Sequence, residues 1–327
     1  MKTLHLTTTD NDISAAAAIL LDGGLVAFPT ETVYGLGVNA FDATAVARIF
    51  EAKGRPADNP LIVHIADVSQ LDGIVGEVNG TAIKLIEKFS PGPLTIVMPK
   101  AAKIPKIVTA GLDSVAVRMP CHPIALKLLQ ACGLPIAAPS ANISGKPSPT
   151  LFRHVAEDLD GKIDAIIDGG ACEVGLESTV IDVTGDIPLL LRPGGITLEQ
   201  LTDVVGEVKC NFEHTGDEPP RSPGTKYKHY APNTKVCIIR GNLQKHIDCN
   251  NGVRAGVLAC DEMKVPDNMV LKRMTSSNLF ALLREFDGEN VDVIYAQDVD
   301  GCGINLAVRN RLYKAAGYSI IDGVENG

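Results

Sequence analysis

The stretch Phe28-Pro29-Thr30-Glu31-Thr32-Val33-Tyr34-Gly35-Leu36-Gly37 carries a short apolar strand into a loop rich in hydroxyl side chains and glycine. Two further stretches follow it closely, Lys53-Gly54-Arg55-Pro56 and Asn59-Pro60-Leu61-Ile62-Val63-His64. Loops that leave strands are where α/β proteins place ligands. Hydroxyl groups together with Lys and Arg hold phosphates and carboxylates. The segment therefore predicts a substrate cradle at the edge of a sheet.

The composition is that of an ordinary globular protein. With 327 residues, 45% of them hydrophobic and 21% charged, the chain has room for two domains with proper cores. A net charge of −9 and the absence of Trp argue against a general binder of nucleic acid or of anionic membranes. A local basic pocket is compatible with this negative net charge and with the absence of Trp.

The cysteines and the N-terminus predict a soluble cytoplasmic protein with no membrane association. Eight cysteines are scattered without a C-x-x-C pair, which fits neither a zinc site nor a disulfide scaffold, and no metal site is predicted. The first ten residues lack the apolar core of a signal peptide, and no apolar run approaches the length of a membrane span.

Apolar periodicity predicts alternating strands and helices, beginning with a strand at 25–28. Asp42 caps a helix that Gly54 ends, and Pro123 stands in the first turn of another helix. The other predicted strands are 61–65, 94–98, 114–118, 136–138, 163–167, 178–183 and 187–191. The helix that contains Pro123 is predicted at 123–132, and two further helices are predicted at 81–89 and near 150–159.

Periodicity disappears between about 206 and 234 and then restarts. Strands at 236–239, 254–259 and 291–296, with helices between them and at 304–316, form a compact βαβαβ pattern. The sequence therefore predicts an α/β domain at 1–207, a linker at 208–234 and a small Rossmann-like domain at 235–327. The segment Lys226-Tyr227-Lys228-His229-Tyr230 is unusual for a linker and indicates that it binds something.

Several candidate residues have a plain structural interpretation as well as a functional one. Lys53 and Arg55 suit the C-terminal dipole of a helix as well as an anion, and His64 suits a strand interior. Arg118 closes a strand, either as a charge at the sheet edge or as a carboxylate clamp. The serines of the loop at 139–149 can bind a ligand or only satisfy their own turns.

Two glycine-rich segments, 175–179 and 191–195, suit anion binding by backbone N–H groups, although neither a P-loop nor a G-x-G-x-x-G fingerprint occurs. Cys302 between two glycines is interpreted as structural, since no base for a catalytic cysteine can be identified.

Taken together, the ordered motifs resemble the YrdC-type threonylcarbamoyl-AMP synthases in their long form with an extra C-terminal domain. The matching segments are 29–37, 53–56, 59–64, 91–95, 117–120, 139–142 and 177–179, and the linker signature at 222–232 selects the long form. The resemblance covers essentially the whole chain.

The resemblance implies a reaction in which L-threonine, bicarbonate and ATP give threonylcarbamoyl-AMP, diphosphate and water. The product serves N6-threonylcarbamoylation of adenosine 37 in tRNAs that read ANN codons, through a downstream threonylcarbamoyl-transferase machinery. The fold implied for the N-terminal domain is an open, twisted α/β sheet with helices and a large concave, positively charged cavity.

Matched residue by residue, the resemblance implies two sets of binding residues. The threonine set is Thr32, His64, Arg118, Ala138 and Ser178. The ATP set is Lys53, Arg55, Asn59, Ser114, Ser140, Ser148, Arg192 and Tyr230, with Tyr230 closing over the nucleotide from the linker.

No acid–base residue is predicted. We expect catalysis by positioning and by charge stabilisation from Lys53 and Arg55, with Mg²⁺ carried by ATP and no protein ligand named. An RNA-binding module of the same pathway, with weak tRNA binding, is the alternative, and the acidic balance counts against it. Hydrogenase-maturation enzymes with related chemistry carry acylphosphatase and zinc-finger segments for which this chain has no room.

Overall fold

The computed structural model describes residues 2–212 and 229–322 of the chain. These residues form two compact units. The first contains the described residues up to 212 except 145–148, and the second contains 145–148 together with residues 229–322. Most of the predicted linker signature, from 222 to 228, lies outside the described residues.

The first unit is built on a mixed sheet of eleven strands covered by helices. Its elements in chain order are β1 Leu4–Leu6, α1 Asp10–Leu21, β2 Val26–Phe28, β3 Gly35–Asn39, α2 Ala43–Lys53, β4 Ile62–His64, a 3-10 turn at Val68–Leu71, α3 Gly80–Phe89, β5 Leu94–Pro99, β6 Ser114–Arg118, α4 Pro123–Cys132, β7 Ile136–Ala138, α5 Phe152–Leu159, β8 Ala165–Ile167, β9 Thr179–Asp182, β10 Leu189–Arg192, α6 Leu198–Val205 and β11 Lys209–Cys210.

The order of the strands across this sheet is β1-β8-β2-β3-β7-β4-β6-β5-β9-β10-β11. Strands β4 and β6 are parallel neighbours, and β7 runs antiparallel to β4 on its other side. The sheet is buried on both faces: Ala27, Val63 and Val117 belong to one apolar cluster, and Val26 and Phe28 to another that includes α1 and α4. The predicted open α/β sheet is confirmed.

Local capping explains the helices that the sequence predicts well. The Asp42 side chain accepts hydrogen bonds from Thr44 and Ala45 at the start of α2, and Gly54 ends the helix in the left-handed conformation with φ of 58°. Helix α4 begins at Pro123, where a missing N–H costs nothing.

The structure also contains elements that the sequence does not predict, among them β1, α1 and β3. Strand β3 occupies part of the expected glycine-rich loop because its glycines serve close packing. A Cβ on Gly37 would lie 2.8 Å from both Ile136 Cγ2 and Phe28 Cε1, so only glycine lets β3 approach these side chains.

The second unit is a small parallel sheet, as the βαβαβ pattern predicts. Its elements are β12 Lys235–Arg240, α7 Leu243–Cys249, β13 Ala255–Ala259, β14 Val270–Arg273, α8 Leu279–Phe286, β15 Val293–Gln297, α9 Asn305–Ala315 and β16 Ile320–Asp322. The strand order is β14-β13-β15-β12-β16, with every pairing parallel. The two edge strands, β14 and β16, are additions to the predicted pattern.

Within the described ranges, none of the helices combines the length and the apolar character that a membrane crossing requires.

Candidate functional site

Arg118, at the end of β6, is the centre of a buried polar cluster in the first unit. Its guanidinium donates from Nη1 to the Thr32 hydroxyl at 2.9 Å, from Nη2 to Glu31 Oε1 at 2.6 Å and from Nε to the Gly92 carbonyl at 3.3 Å. Thr32 is held in turn by a 2.8 Å hydrogen bond to the Thr30 hydroxyl. The sequence therefore brings the hydroxyl-rich loop after β2 onto the end of a strand that is distant along the chain.

Glu31 and Arg118 form an ion pair that is almost completely removed from water, with each side chain 4% exposed. Burial raises the pKa of the Glu31 carboxyl, but the charge and hydrogen bond of Arg118 outweigh burial and hold that pKa below its ordinary value. The carboxylate is therefore ionised at neutral pH. Its second oxygen, Oε2, is buried and no donor among the described residues meets hydrogen-bond geometry with it, while the thiol and N–H of Cys121 and the N–H of Glu31 interact more weakly with the carboxyl.

His64, at the end of β4, lies directly across from Arg118 in the parallel pairing of β4 and β6. The ring is 3% exposed, and its Nδ1 lies 3.2 Å from the Ile62 carbonyl oxygen. Burial, reinforced by the charge of Arg118, lowers the pKa of His64 to about 3. The imidazole is therefore neutral at physiological pH and can serve as a hydrogen-bonding group, not as a proton carrier near pH 7.

Ser178 lies just before β9 and is fixed from two sides. Its hydroxyl is 2.7 Å from the Thr95 hydroxyl and accepts from Arg192 Nη2 at 3.1 Å, while Arg192 Nε donates to the Ser178 carbonyl at 3.0 Å. Gly194 makes this approach possible, because a Cβ there would lie 2.3 Å from the Thr179 nitrogen and 2.5 Å from the Ser178 carbonyl carbon.

The strands place several of the predicted binding residues in two groups at opposite ends, but Ala138 of the threonine set lies across from Ile62 at the start of β4, and Arg192 of the ATP set is bonded to Ser178. His64 and Arg118 end β4 and β6, whereas Asn59 precedes β4 and Ser114 begins β6. Ser140 follows β7, which runs antiparallel to β4, and so lies on the side of Ser114. Four residues of extended strand span about 13 Å, which is the separation along β6 between the two groups.

Asn59 has the environment of a ligand-binding amide. The residue is 1% exposed, and neither its Nδ2 nor its Oδ1 has a hydrogen-bond partner within the described part of the chain. Buried amides are nearly always paired, so an orphaned one indicates a partner that the protein itself does not supply.

Lys53 is buried, at 2% exposure, and its ammonium donates to the backbone carbonyls of Ser140 and Asn142. The Ser144 N–H donates to the Lys53 carbonyl at 3.0 Å, so the end of α2 and the polar loop after β7 are tied together. Arg55, only partly buried, donates to the Asn59 carbonyl at 3.0 Å. Both cations thus order the loops that carry Asn59 and Ser140, which the sequence does not reveal.

Ser148 and Tyr230 belong to the second unit, so the structure groups these two members of the predicted ATP set with each other. Tyr230 has a positive φ of 65° and packs between the Phe280 ring, 5.1 Å away, and the Arg311 guanidinium, 5.5 Å from its ring centre. These contacts hold a conformation that a bulky residue seldom adopts.

The loop segment 145–148 is anchored in the same unit by backbone acceptors. Arg284 donates from Nε at 3.1 Å and from Nη2 at 2.6 Å to the Pro147 carbonyl, and the Ala231 N–H donates to the Gly145 carbonyl at 3.0 Å. A guanidinium bound through two nitrogens fixes the direction of its acceptor.

Thr30, Glu31 and Thr95 are polar residues of the cluster around Arg118 and Ser178 to which the sequence gives no individual role. Glu31 lies inside the segment 28–37 quoted first. It is the one carboxylate among the hydroxyl side chains there, and that contrast could have identified it. Thr95 follows the Pro-Gly-Pro turn and carries no comparable signal. In the ranges 2–212 and 229–322, no three His, Cys, Asp or Glu side chains are grouped so that they could hold a metal ion.

Comparisons with known proteins identify the family of this chain. Residues 18–194 match the Sua5/YciO/YrdC family model, described as telomere recombination, and residues 196–317 match the C-terminal domain model of threonylcarbamoyl-AMP synthase. The chain is 50% identical over 323 residues to threonylcarbamoyl-AMP synthase of Pyrococcus abyssi, covering 94% of this chain and 95% of the relative. It is 48% identical to the threonylcarbamoyl-AMP synthase of Bacillus subtilis, and the alignment covers 97% of this chain and 96% of that relative.

Among solved structures, the crystal structure of P. abyssi Sua5 complexed with L-threonine superposes with a TM-score of 0.92 at 47% identity, covering 99% of this chain and 100% of that one.

Proposed function

Because this chain belongs to the threonylcarbamoyl-AMP synthase family, we propose that it converts L-threonine, bicarbonate and ATP into threonylcarbamoyl-AMP, diphosphate and water. The match extends through both domain models, and both full-length relatives named above are threonylcarbamoyl-AMP synthases. The enzyme is a nucleotidyltransferase whose product serves tRNA modification.

The threonine site in this proposal is the cluster around Arg118. A guanidinium retains further N–H donors after the three bonds described above, and a carboxylate is its best partner. Thr32 and Ser178 offer hydroxyls, neutral His64 offers a ring nitrogen, and Ala138 provides a small neighbour on β7. The solved L-threonine complex of P. abyssi Sua5 supports this choice of substrate.

The ATP site in this proposal begins at the opposite ends of the strands. Asn59 has an orphaned amide, Ser114 and Ser140 lie on the same side, and Lys53 and Arg55 order the loops between them. Arg192 stays a predicted phosphate ligand, although its described bonds go to Ser178. Ser148 and Tyr230 stay predicted ATP ligands.

The chemistry in this proposal is the formation of a mixed anhydride. The amine of threonine and bicarbonate form a carbamate with loss of water, and a carbamate oxygen then displaces diphosphate from the α-phosphate of ATP. The side chains described above suit holding two substrates in line and balancing phosphate charge. Mg²⁺ enters as part of the MgATP substrate, with phosphate oxygens as its main ligands.

The observation that carries the proposal is the buried Arg118–Thr32–Ser178 environment within a chain of this family. The test is mass spectrometry of the product formed from L-threonine, ¹³C-bicarbonate and MgATP, with each substrate omitted in turn. We expect threonylcarbamoyl-AMP carrying one heavy carbon only in the complete mixture. Product that forms without threonine, or that lacks the label, would overturn the proposal.

A pair of variants tests the nucleotide side of the site. Asn59→Ala should raise the KM for ATP about tenfold, because the buried hydrogen bond between the Asn59 side-chain amide and ATP is lost. The KM for threonine should change little. Asn11→Ala, on an exposed position of α1, is the matched control and should behave as wild type.

A further inference from the structure

Building on the threonine site of the proposed function, we propose that Glu31 binds the α-amino group of L-threonine through Oε2 and takes a proton from it as the carbamate forms. Glu31 lies beyond the residues that the sequence assigns to threonine. It would be a catalytic residue, because it touches the reacting nitrogen.

The first support is the second oxygen of Glu31. Oε1 is bound to Arg118 at 2.6 Å, whereas Oε2 is buried and no donor meets hydrogen-bond geometry with it in the described part of the chain; the weaker interactions of the carboxyl are with the thiol and N–H of Cys121 and with its own N–H. A buried carboxylate oxygen is stable only with a donor or a cation beside it. An ammonium group supplied by the substrate satisfies both conditions.

The second support is charge complementarity. Amino acids are bound as zwitterions, with one positive and one negative group on the same carbon. The Glu31–Arg118 pair presents one negative and one positive group in contact, each 4% exposed. With the substrate carboxylate on Arg118, the ammonium group falls next to the carboxylate that Arg118 already holds.

The third support is the absence of another anion among the titratable groups that interact with this carboxylate. His64 is neutral, since its pKa is about 3. The thiols of Cys121 and Cys172 are protonated, because burial raises their pKa values to about 11 and about 12. His122 and Arg118 supply no negative charge. Among these groups Glu31 is the anion in contact with Arg118; Glu177, buried next to Ser178, and Glu173, which interacts with His122, are further acidic side chains of this region.

The threonine ammonium gives one proton to Glu31, and the nitrogen lone pair attacks the carbon of bicarbonate. A C–O bond breaks, and the departing hydroxide leaves as water with a second proton from nitrogen. Once the substrate carboxylate shares Arg118, the hold of Arg118 on Glu31 weakens, while burial continues to favour the protonated acid. Glu31 then releases the proton to solvent.

The test compares L-threonine with the 2,3-dihydroxybutanoate of matching configuration, in which a hydroxyl replaces the ammonium group. Binding of both is measured by calorimetry for the full-length wild type and for Glu31→Gln, which keeps an oxygen for Arg118. We expect the preference of wild type for threonine to fall about ten- to one-hundred-fold in the variant, through weaker threonine binding alone.

Two further variants keep the result interpretable. Glu31→Asp retains the charge and should retain the preference, even if both ligands bind more weakly. Glu51→Gln, at an exposed position of α2, should match wild type. An equal loss of both ligands in Glu31→Gln, or an unchanged preference, would overturn the role of Glu31. Failure of wild type itself to bind threonine would refute the proposed function instead.

Discussion

Replacing Arg118 by methionine should reverse the way in which the Glu31 carboxyl couples stability to pH. In the wild type, Arg118 holds the pKa of Glu31 below its ordinary value of 4.5. A lowered pKa contributes stability that is present above pH 4.5 and is lost as the pH falls further through the folded pKa. Without the guanidinium, burial is the largest remaining influence and is opposed only by the smaller effect of the Glu31 and Cys121 N–H groups, so we expect the pKa of Glu31 to move above 4.5.

The expected magnitude follows from the burial of the pair. Both side chains are 4% exposed, so removing Arg118 leaves an unpaired buried carboxylate, and such a change costs about 3–5 kcal/mol near pH 7. In Arg118→Met this penalty should disappear as the pH falls toward 4.5, because Glu31 takes up a proton. The double variant Arg118→Met/Glu31→Gln carries neither charge of this pair and should be about 2 kcal/mol more stable than the single variant near pH 7.

The measurement is urea-induced unfolding followed by far-UV circular dichroism between about pH 4.5 and 7.5. The difference between the single and double Arg118 variants isolates the contribution of Glu31, because all other titrating groups are common to both. That difference should be largest near neutral pH and small at pH 4.5. A difference that is independent of pH, or one that grows as the pH falls, would refute the description of Glu31 as a buried carboxylate held ionised by Arg118.

Three further outcomes follow from the structure. The ring signals of His64 should not titrate between about pH 5 and 8 in NMR spectra, since its pKa is about 3; a midpoint near pH 6.5 would contradict its burial. Gly194→Ala should destabilise the protein by about 3 kcal/mol in urea unfolding, because its Cβ would overlap backbone atoms. Gly80→Ala, where a Cβ meets no atom within 4 Å at the start of α3, should be neutral or stabilising by up to about 1 kcal/mol. Arg284→Gln should weaken ATP binding about tenfold in calorimetry, because one neutral amide replaces the two charged donors to the Pro147 carbonyl. The control Arg254→Gln, at an exposed ion pair, should leave ATP binding unchanged. Equal effects of the two variants would refute a role of the Arg284–Pro147 bonds in ATP binding.

The elements predicted correctly are those with local signals. Helix α2 has a capping Asp42 and a terminating Gly54, and α4 has Pro123 in its first turn. Helix α1 has a capping Thr9 and two aspartates in its first turn, but four consecutive alanines from Ala15 to Ala18 blur the contrast between its buried and exposed faces, and the helix is not predicted. Strand β3 is hidden by its glycines, whose purpose is close packing against Phe28 and Ile136 and is visible only in three dimensions.

The candidate site also has a part that the sequence predicts and a part that only the fold reveals. The motifs name Arg118, Thr32 and His64, but sequence alone leaves Arg118 either a sheet-edge charge or a clamp. The 87-residue separation between Arg118 and Glu31 is closed by the fold, so their ion pair could not be inferred from spacing. The carbonyls that bind Lys53 are equally invisible in a sequence, because backbone groups have no residue signature.

The grouping of residues 145–148 with the second unit has a consequence for synthesis on the ribosome. The Pro147 carbonyl finds its partner, Arg284, 137 residues later in the chain. At about 5–20 residues per second, the segment waits between about 7 and 27 s for that anchor. The anchoring of the loop that carries Ser148 is therefore completed near the end of translation, and a prematurely terminated chain would lack that anchor. Under the proposal that Ser148 binds ATP, full-length synthesis becomes a condition for ATP binding at full strength.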